Sequence, residues 1–149
     1  MKKHSMKTLL SLILCAVLIA AMALMFTGCS DTTAPDLWET KTFKDGDILG
    51  EGSKEFSLIV IDADGTEVSA TVRTEKATVG EALLELEVIN GDPQEYGLYV
   101  KAVNGKTYDF EKDGMYWAFY IDGEYAMTGI DQTEIQEDVV YTLKAEKAG

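Results

Sequence analysis

"TVGEALLELEVING", Thr78 to Gly91, is where the hydrophobic period of the chain changes. Val79, Ala82, Leu83, Leu86 and Ile89 recur at helical spacing, whereas the segments on either side read as strands. Thr78 and Glu81 stand three residues apart, the spacing of a capping box: the threonine oxygen takes a free amide of the first turn and the glutamate returns to the amide of Thr78. Asn90-Gly91, with Pro93 close behind, predicts the stop.

Upstream, "KEFSLIVI" (54–61) alternates Phe56, Leu58 and Val60 with Ser57, Ile59 and Ile61, and ends at Asp62-Ala63-Asp64-Gly65. That tetrapeptide has the first acids of a calcium loop but not its later ligands or closing glutamate, so it reads as a hairpin turn leading into "TEVSATVRT" (66–74). Downstream, "YGLYVKAVNG", "MYWAFYIDG", "EYAMTG" and "VVYTLKAE" are rich in aromatic and β-branched residues. Asn104-Gly105, Asp113-Gly114 and Asp122-Gly123 punctuate them, supplying the positive backbone angles of tight hairpins. Glu134, Glu137 and Asp138 read as a solvated turn before the last strand. Two strands, a helix, then three or four strands predict an α+β fold: a β-grasp-like mixed sheet with one helix packed across a face. About 95 residues, from Ser53 to Gly149, suffice for such a core without a staple.

The N-terminal part has a different character. Lys2, Lys3 and Lys7 precede an apolar run from Leu9 to Phe26 relieved only by Ser11, followed by Thr27-Gly28-Cys29. The run is about long enough to span a bilayer. Its basic start and the small residues before Cys29 instead predict a secretion signal over residues 1–28. Residues 29–52 hold Thr, Asp, Gly and one Pro without sustained periodicity, and read as a tether; Trp38, Phe43, Ile48 and Leu49 are apolar enough for part of it to lie against the domain.

Cleavage before Cys29 removes three of the 13 basic residues and none of the 26 acidic ones, leaving a formal charge of −16. Nucleic acid is excluded as a partner, since neutralising phosphate needs clustered Lys and Arg. Cys15 and the sole histidine, His4, leave with the signal, so an internal disulfide, a histidine base and the common zinc sites lose their parts. The expectation is a protein that is not an enzyme and requires no cofactor or metal.

Two resemblances follow from these residues. Phe26-Thr27-Gly28-Cys29 resembles the lipobox of bacterial lipoproteins, with Phe26 in place of the usual leucine; it implies lipid attachment at Cys29 and a location on the extracytoplasmic face of the membrane. From Ser53 to Lys147 the chain is similar to the transcobalamin C-terminal-like domains, bacterial relatives of the β-domain of transcobalamin and intrinsic factor. The residues that carry this are Val103-Asn104-Gly105, Tyr116-Trp117, Gly129-Ile130, the closing strand from Val139 to Glu146, and the helix start at Thr78–Leu83. In the vitamin carriers this β-domain closes over a cobalamin held mainly by a helical domain that also supplies a histidine to cobalt; this chain carries neither. The resemblance therefore implies a lid-like module for a cobalamin or other corrinoid ligand, working with a transporter or partner subunit.

On a strand, Met115, Trp117, Phe119 and Ile121 point one way and Tyr116, Ala118 and Tyr120 the other. The first set is expected to face the helix. Tyr116 and Tyr120 are the expected ligand contacts, with Tyr99 and Tyr125 also placed for contact and the Asn104-Gly105 turn at the rim, the plainer alternative being a half-buried outer sheet face; Trp117 joins only if the strand presents its other face. Two functions fit: a lipid-anchored, non-enzymatic module that captures a ligand, or a protein-interaction module of the cell envelope with no small-molecule ligand.

Overall fold

The computed structural model describes residues 38–149, which form one unit, Trp38–Gly149. The expected signal peptide, Cys29 and the first part of the tether lie outside the described residues. No helix among the described residues is long and apolar enough to cross a membrane.

The alternation upstream of the helix yields the hairpin of β2 (Lys54–Ile61) and β3 (Glu67–Thr74), paired from Lys54–Thr74 to Ile61–Glu67. The turn closes through the Gly65 amide on the Asp62 carbonyl, at 2.9 Å. The short β1 (Asp47–Leu49) runs parallel to β3 at one edge. On the other side of β2, β9 (Val140–Lys147) runs parallel to it, and β7 (Met115–Ile121) pairs antiparallel with β9. The two-residue β8 (Glu124–Tyr125) completes the order β1-β3-β2-β9-β7-β8.

The sequence predicts one sheet; the structure has two. β4 (Ile89–Gln94), β5 (Gly97–Val103) and β6 (Lys106–Thr107) form a separate antiparallel meander, and neither sheet closes on itself. The fold is mixed α+β, mostly strand.

The helix α1 (Val79–Glu85) starts where its capping box stands: the Thr78 hydroxyl accepts from the Glu81 amide, and the Glu81 carboxylate from the Thr78 amide, both at 3.2 Å. It stops earlier than Asn90-Gly91. Glu87 takes the left-handed conformation, φ 58°, and its amide donates to the Leu84 carbonyl while that of Val88 reaches back to Leu83. This is a Schellman ending with a glutamate where glycine is usual, sealed by the buried Val88 and Leu83. The chain can then enter β4 at Ile89, and "INGDPQ" becomes an edge strand with a bulge at Asn90/Gly91.

Val79, Ala82 and Leu83 of α1 join Phe56, Leu58, Val60, Val72, Trp117, Tyr141 and Leu143 in the core. Gly80 is dictated by a neighbour: a Cβ there would lie 2.5 Å from the Cα of Asp131. The excursion before β9 keeps its expected exposed turn at Glu134, Glu137 and Asp138, while its upstream part packs on α1. Ile130–Gln132 forms a 3-10 turn with Ile130 buried, and the Thr133 carbonyl accepts from the Val79 amide at 2.9 Å.

The expected tether also packs in its described part. Phe43 belongs to the core cluster, the Lys41 amide donates to the Glu87 carbonyl at 2.7 Å, and β1 extends the sheet. The packed unit thus reaches upstream of the expected boundary at Ser53. Trp38, Phe43 and Leu49 supply the apolar surface that a free spacer does not need, though Ile48 stays exposed.

Candidate functional site

Strand alternation places Met115, Trp117, Phe119 and Ile121 against the core and Tyr116, Ala118 and Tyr120 on the outer face of the six-stranded sheet. Across the β7–β9 ladder, Tyr116 stands opposite Glu146, Ala118 opposite Lys144 and Tyr120 opposite Thr142. Ala118 is the small residue between two large ones, so Tyr120 can lean along the strand over it. Both phenols therefore meet one carboxylate: Tyr116 Oη donates to Glu146 Oε2 at 3.2 Å, and Tyr120 Oη to Oε1. Together these side chains leave Ala118 only 2% exposed, although it lies on the solvent side.

The electrostatics follow from that geometry. The hydrogen bond to Glu146, then burial and the carboxylate's charge, push the Tyr120 phenol up to about 12. Tyr116 is also raised, by burial first and then by Glu146. Lys144 Nζ lies 3.8 Å from Glu146, and the Tyr125 ring meets that of Tyr120 edge-on at 5.6 Å. Beside this cluster is an open depression of about 240 Å³, lined by Ile61, Tyr120, Gly123, Thr142 and Lys144. The patch offers aromatic surface, a carboxylate and an ammonium, with no nucleophile set against a base.

The other expected contacts lie elsewhere. Trp117 is core: it is 7% exposed, its ring lies 5.3 Å from that of Tyr108, and its Nε1 is buried without a hydrogen-bond partner. An inward-facing strand position cannot serve the outer face. Asn104 and Gly105 form the β5–β6 turn, with φ 47° and 79°. They do not rim the tyrosines. Asn104 Oδ1 accepts from the Phe43 amide at 2.8 Å, the Gly105 amide donates to Thr40 Oγ1 at 2.6 Å, and a Cβ on Gly105 would meet Thr42. The turn clasps the N-terminal segment. Tyr99 lies on β5 in the three-stranded sheet and lines a different cavity.

Sequence reasoning missed Glu146, Lys144, Thr142 and Ile61, whereas Tyr125, expected as a contact, does lie against Tyr120. The available signal was the alternation in "VYTLKAEK", which puts Thr142, Lys144 and Glu146 on one face. Which strand lies beside it is a matter of pairing, not of local pattern.

A domain family of unknown function (DUF4430) matches residues 76–145. No curated protein matches. Among solved structures, a protein of Ruminococcus gnavus ATCC 29149, provisionally named as metal binding, is similar at 28% identity and a TM-score of 0.60, over 64% of this chain and 98% of that one. Haptocorrin in complex with Cbi is similar at 13% identity and a TM-score of 0.48, over 63% of this chain; the match spans only a quarter of haptocorrin, 25%.

Proposed function

We propose that the chain is a non-enzymatic binding module, anchored by lipid at Cys29 on the extracytoplasmic face, whose outer sheet face receives a broad, flat ligand of the corrinoid type. The observation that carries the reading is the convergence of Tyr116 and Tyr120 on Glu146, beside an open depression on the solvent side. Rings on a sheet face give a planar contact surface, and the carboxylate holds both phenols in place. A β-grasp-like core, with a hairpin, a crossing helix and β9 parallel to β2, is the proposed relation to the transcobalamin-type β-domains, which the sequence resembles from Ser53 to Lys147.

Such a contact is one-sided, so affinity without a partner should be micromolar or weaker, at best about −8 kcal/mol. A transporter or partner subunit would supply the other side. The metal in the name of the R. gnavus protein is not carried over: among the described residues no group of three or more His, Cys, Asp or Glu could hold an ion.

Calorimetry with cobalamin tests the reading, since the ligand's own absorbance complicates fluorescence. Binding heat is expected from the wild type and should vanish in the Tyr116→Ala/Tyr120→Ala double variant, whose thermal melt stays near wild type. No heat from the wild type, alone or with its transporter, would sink the corrinoid reading. For the anchor, Cys29→Ser should move the protein from the membrane fraction to the soluble one.

A protein-interaction module with no small-molecule ligand is the reading favoured by Tyr96, Tyr125 and Met127, which stand 85%, 57% and 94% exposed. A stable complex with another envelope protein, without cobalamin heat, would support it.

A further inference from the structure

The three-stranded sheet carries a second site, independent of the tyrosine patch. Tyr99 and Lys101 lie two residues apart on β5 and so share a face. With Gln94 of β4 and the segment Asp109, Phe110 and Glu111 they line a cavity of about 450 Å³, within the usual size range for small-molecule sites. α2 (Phe110–Asp113) places its first residue, Phe110, in this lining, with the residue 54% exposed.

Lys101 and the carboxylates of the cavity feel one another's charge but do not close into a direct ion pair. Lys101 Nζ sits 5.3 Å from the Trp38 ring centroid and 5.8 Å from that of Tyr99, and among the described residues no carboxylate lies within ion-pair distance of it. Two rings steady the ammonium without neutralising it. Asp109 caps α2: its Oδ1 accepts from the amides of Glu111 and Lys112, at 2.9 and 3.0 Å. Those bonds, helped by the nearby lysines, hold its carboxyl below the usual range, so it stays ionised. Glu111 adds a second carboxylate to the lining.

We propose that this cavity binds a small aromatic zwitterion, an aromatic α-amino acid. Its carboxylate goes to Lys101 and the Gln94 amide, its ammonium to Asp109 and Glu111, and its ring against Tyr99 and Phe110. The charge pattern selects this class. A simple anion would meet the two carboxylates and the field of a chain with net charge −13; a simple cation would be repelled by Lys101 and leave it without an ion-pair partner. A zwitterion answers both groups and carries no net charge.

The test is a titration of the full chain with L-phenylalanine, followed through amide NMR shifts. Two analogues run in parallel: phenylalaninamide, which lacks the carboxylate, and N-acetylphenylalanine, which lacks the ammonium. Saturable shifts are expected at Tyr99, Lys101 and Phe110, with both analogues about tenfold weaker, the loss that follows from removing one charged contact. Lys101→Gln and Phe110→Ala should each weaken phenylalanine by a similar factor and leave the shifts of Tyr116 and Tyr120 in place. No saturable shift in the wild type, equal affinity for phenylalaninamide, or unchanged binding by both variants would overturn the proposal. Because cobalamin plays no part, the corrinoid reading can fail while this one stands.

Discussion

The two faces of β7 are built from the same seven residues, Met115–Ile121, and behave as different materials. On the inner face, Trp117 packs against Tyr108, and Phe119 stacks with Tyr141 at 6.0 Å, held by apolar burial in a common core. On the outer face, Tyr116 and Tyr120 are ordered by hydrogen bonds to one carboxylate. Residues on the inner face are costly to change because the space they leave does not collapse. Those on the outer face can be changed at little cost to folding, and that freedom is what a contact surface requires.

The largest expected effect tests the inner face. Trp117→Ala should destabilise by about 3–5 kcal/mol, the range for large buried rings, read as a fall in the denaturant midpoint at unchanged slope. Trp117→Phe should cost clearly less, because it keeps a ring and also removes the buried N–H that has no partner. A Trp117→Ala variant as stable as Tyr116→Ala would erase the distinction between the faces.

A smaller effect asks whether the core served by the inner face is complete without the N-terminal segment. Starting the chain at Ser53 instead of Trp38 removes Phe43 from the core and β1 from the edge. The loss of one buried aromatic ring alone should lower stability by about 1.5–3 kcal/mol. Equal melting temperatures for the two fragments would mean that the segment only lies on the surface.

The smallest effect sharpens the outer face. Two phenols are held to about 12, Tyr108 by burial and its bond to Asp62, and Tyr120 chiefly by its bond to Glu146. Glu146→Gln should return Tyr120 toward 10 and leave Tyr108 where it is, as read by tyrosinate absorbance. The linked stability has a definite sign. A phenol raised on folding contributes stability that is fully present below the unfolded value near 10 and is lost as pH rises through about 12. The wild type should therefore lose more stability than the variant between those limits. An alkaline titration unchanged by Glu146→Gln would detach Tyr120 from the carboxylate.

Much of this was legible locally. The β2–β3 hairpin, the capping box at Thr78 and Glu81, and the split of β7 into an apolar and a tyrosine face follow from spacing and turn chemistry, which act over a few residues. Glu87 as the helix stop was not legible, because a glutamate in the left-handed region is tolerated only where packing, here Val88 against Leu83, compensates. The Asn104-Gly105 turn was readable as a turn, yet its partner is Phe43, 61 residues away.

The sequence by itself determined which residues alternate, where the helix begins, the acidity of the chain and the lack of histidine after His4. Tertiary structure alone decided that the strands divide into two sheets, that the N-terminal segment joins the core, and that Glu146 lies beneath two tyrosines 26 and 30 residues away. The physical reason is that period and propensity are properties of a short stretch of backbone. Strand partners and register are selected by the packing of side chains that meet only after the chain has closed long loops.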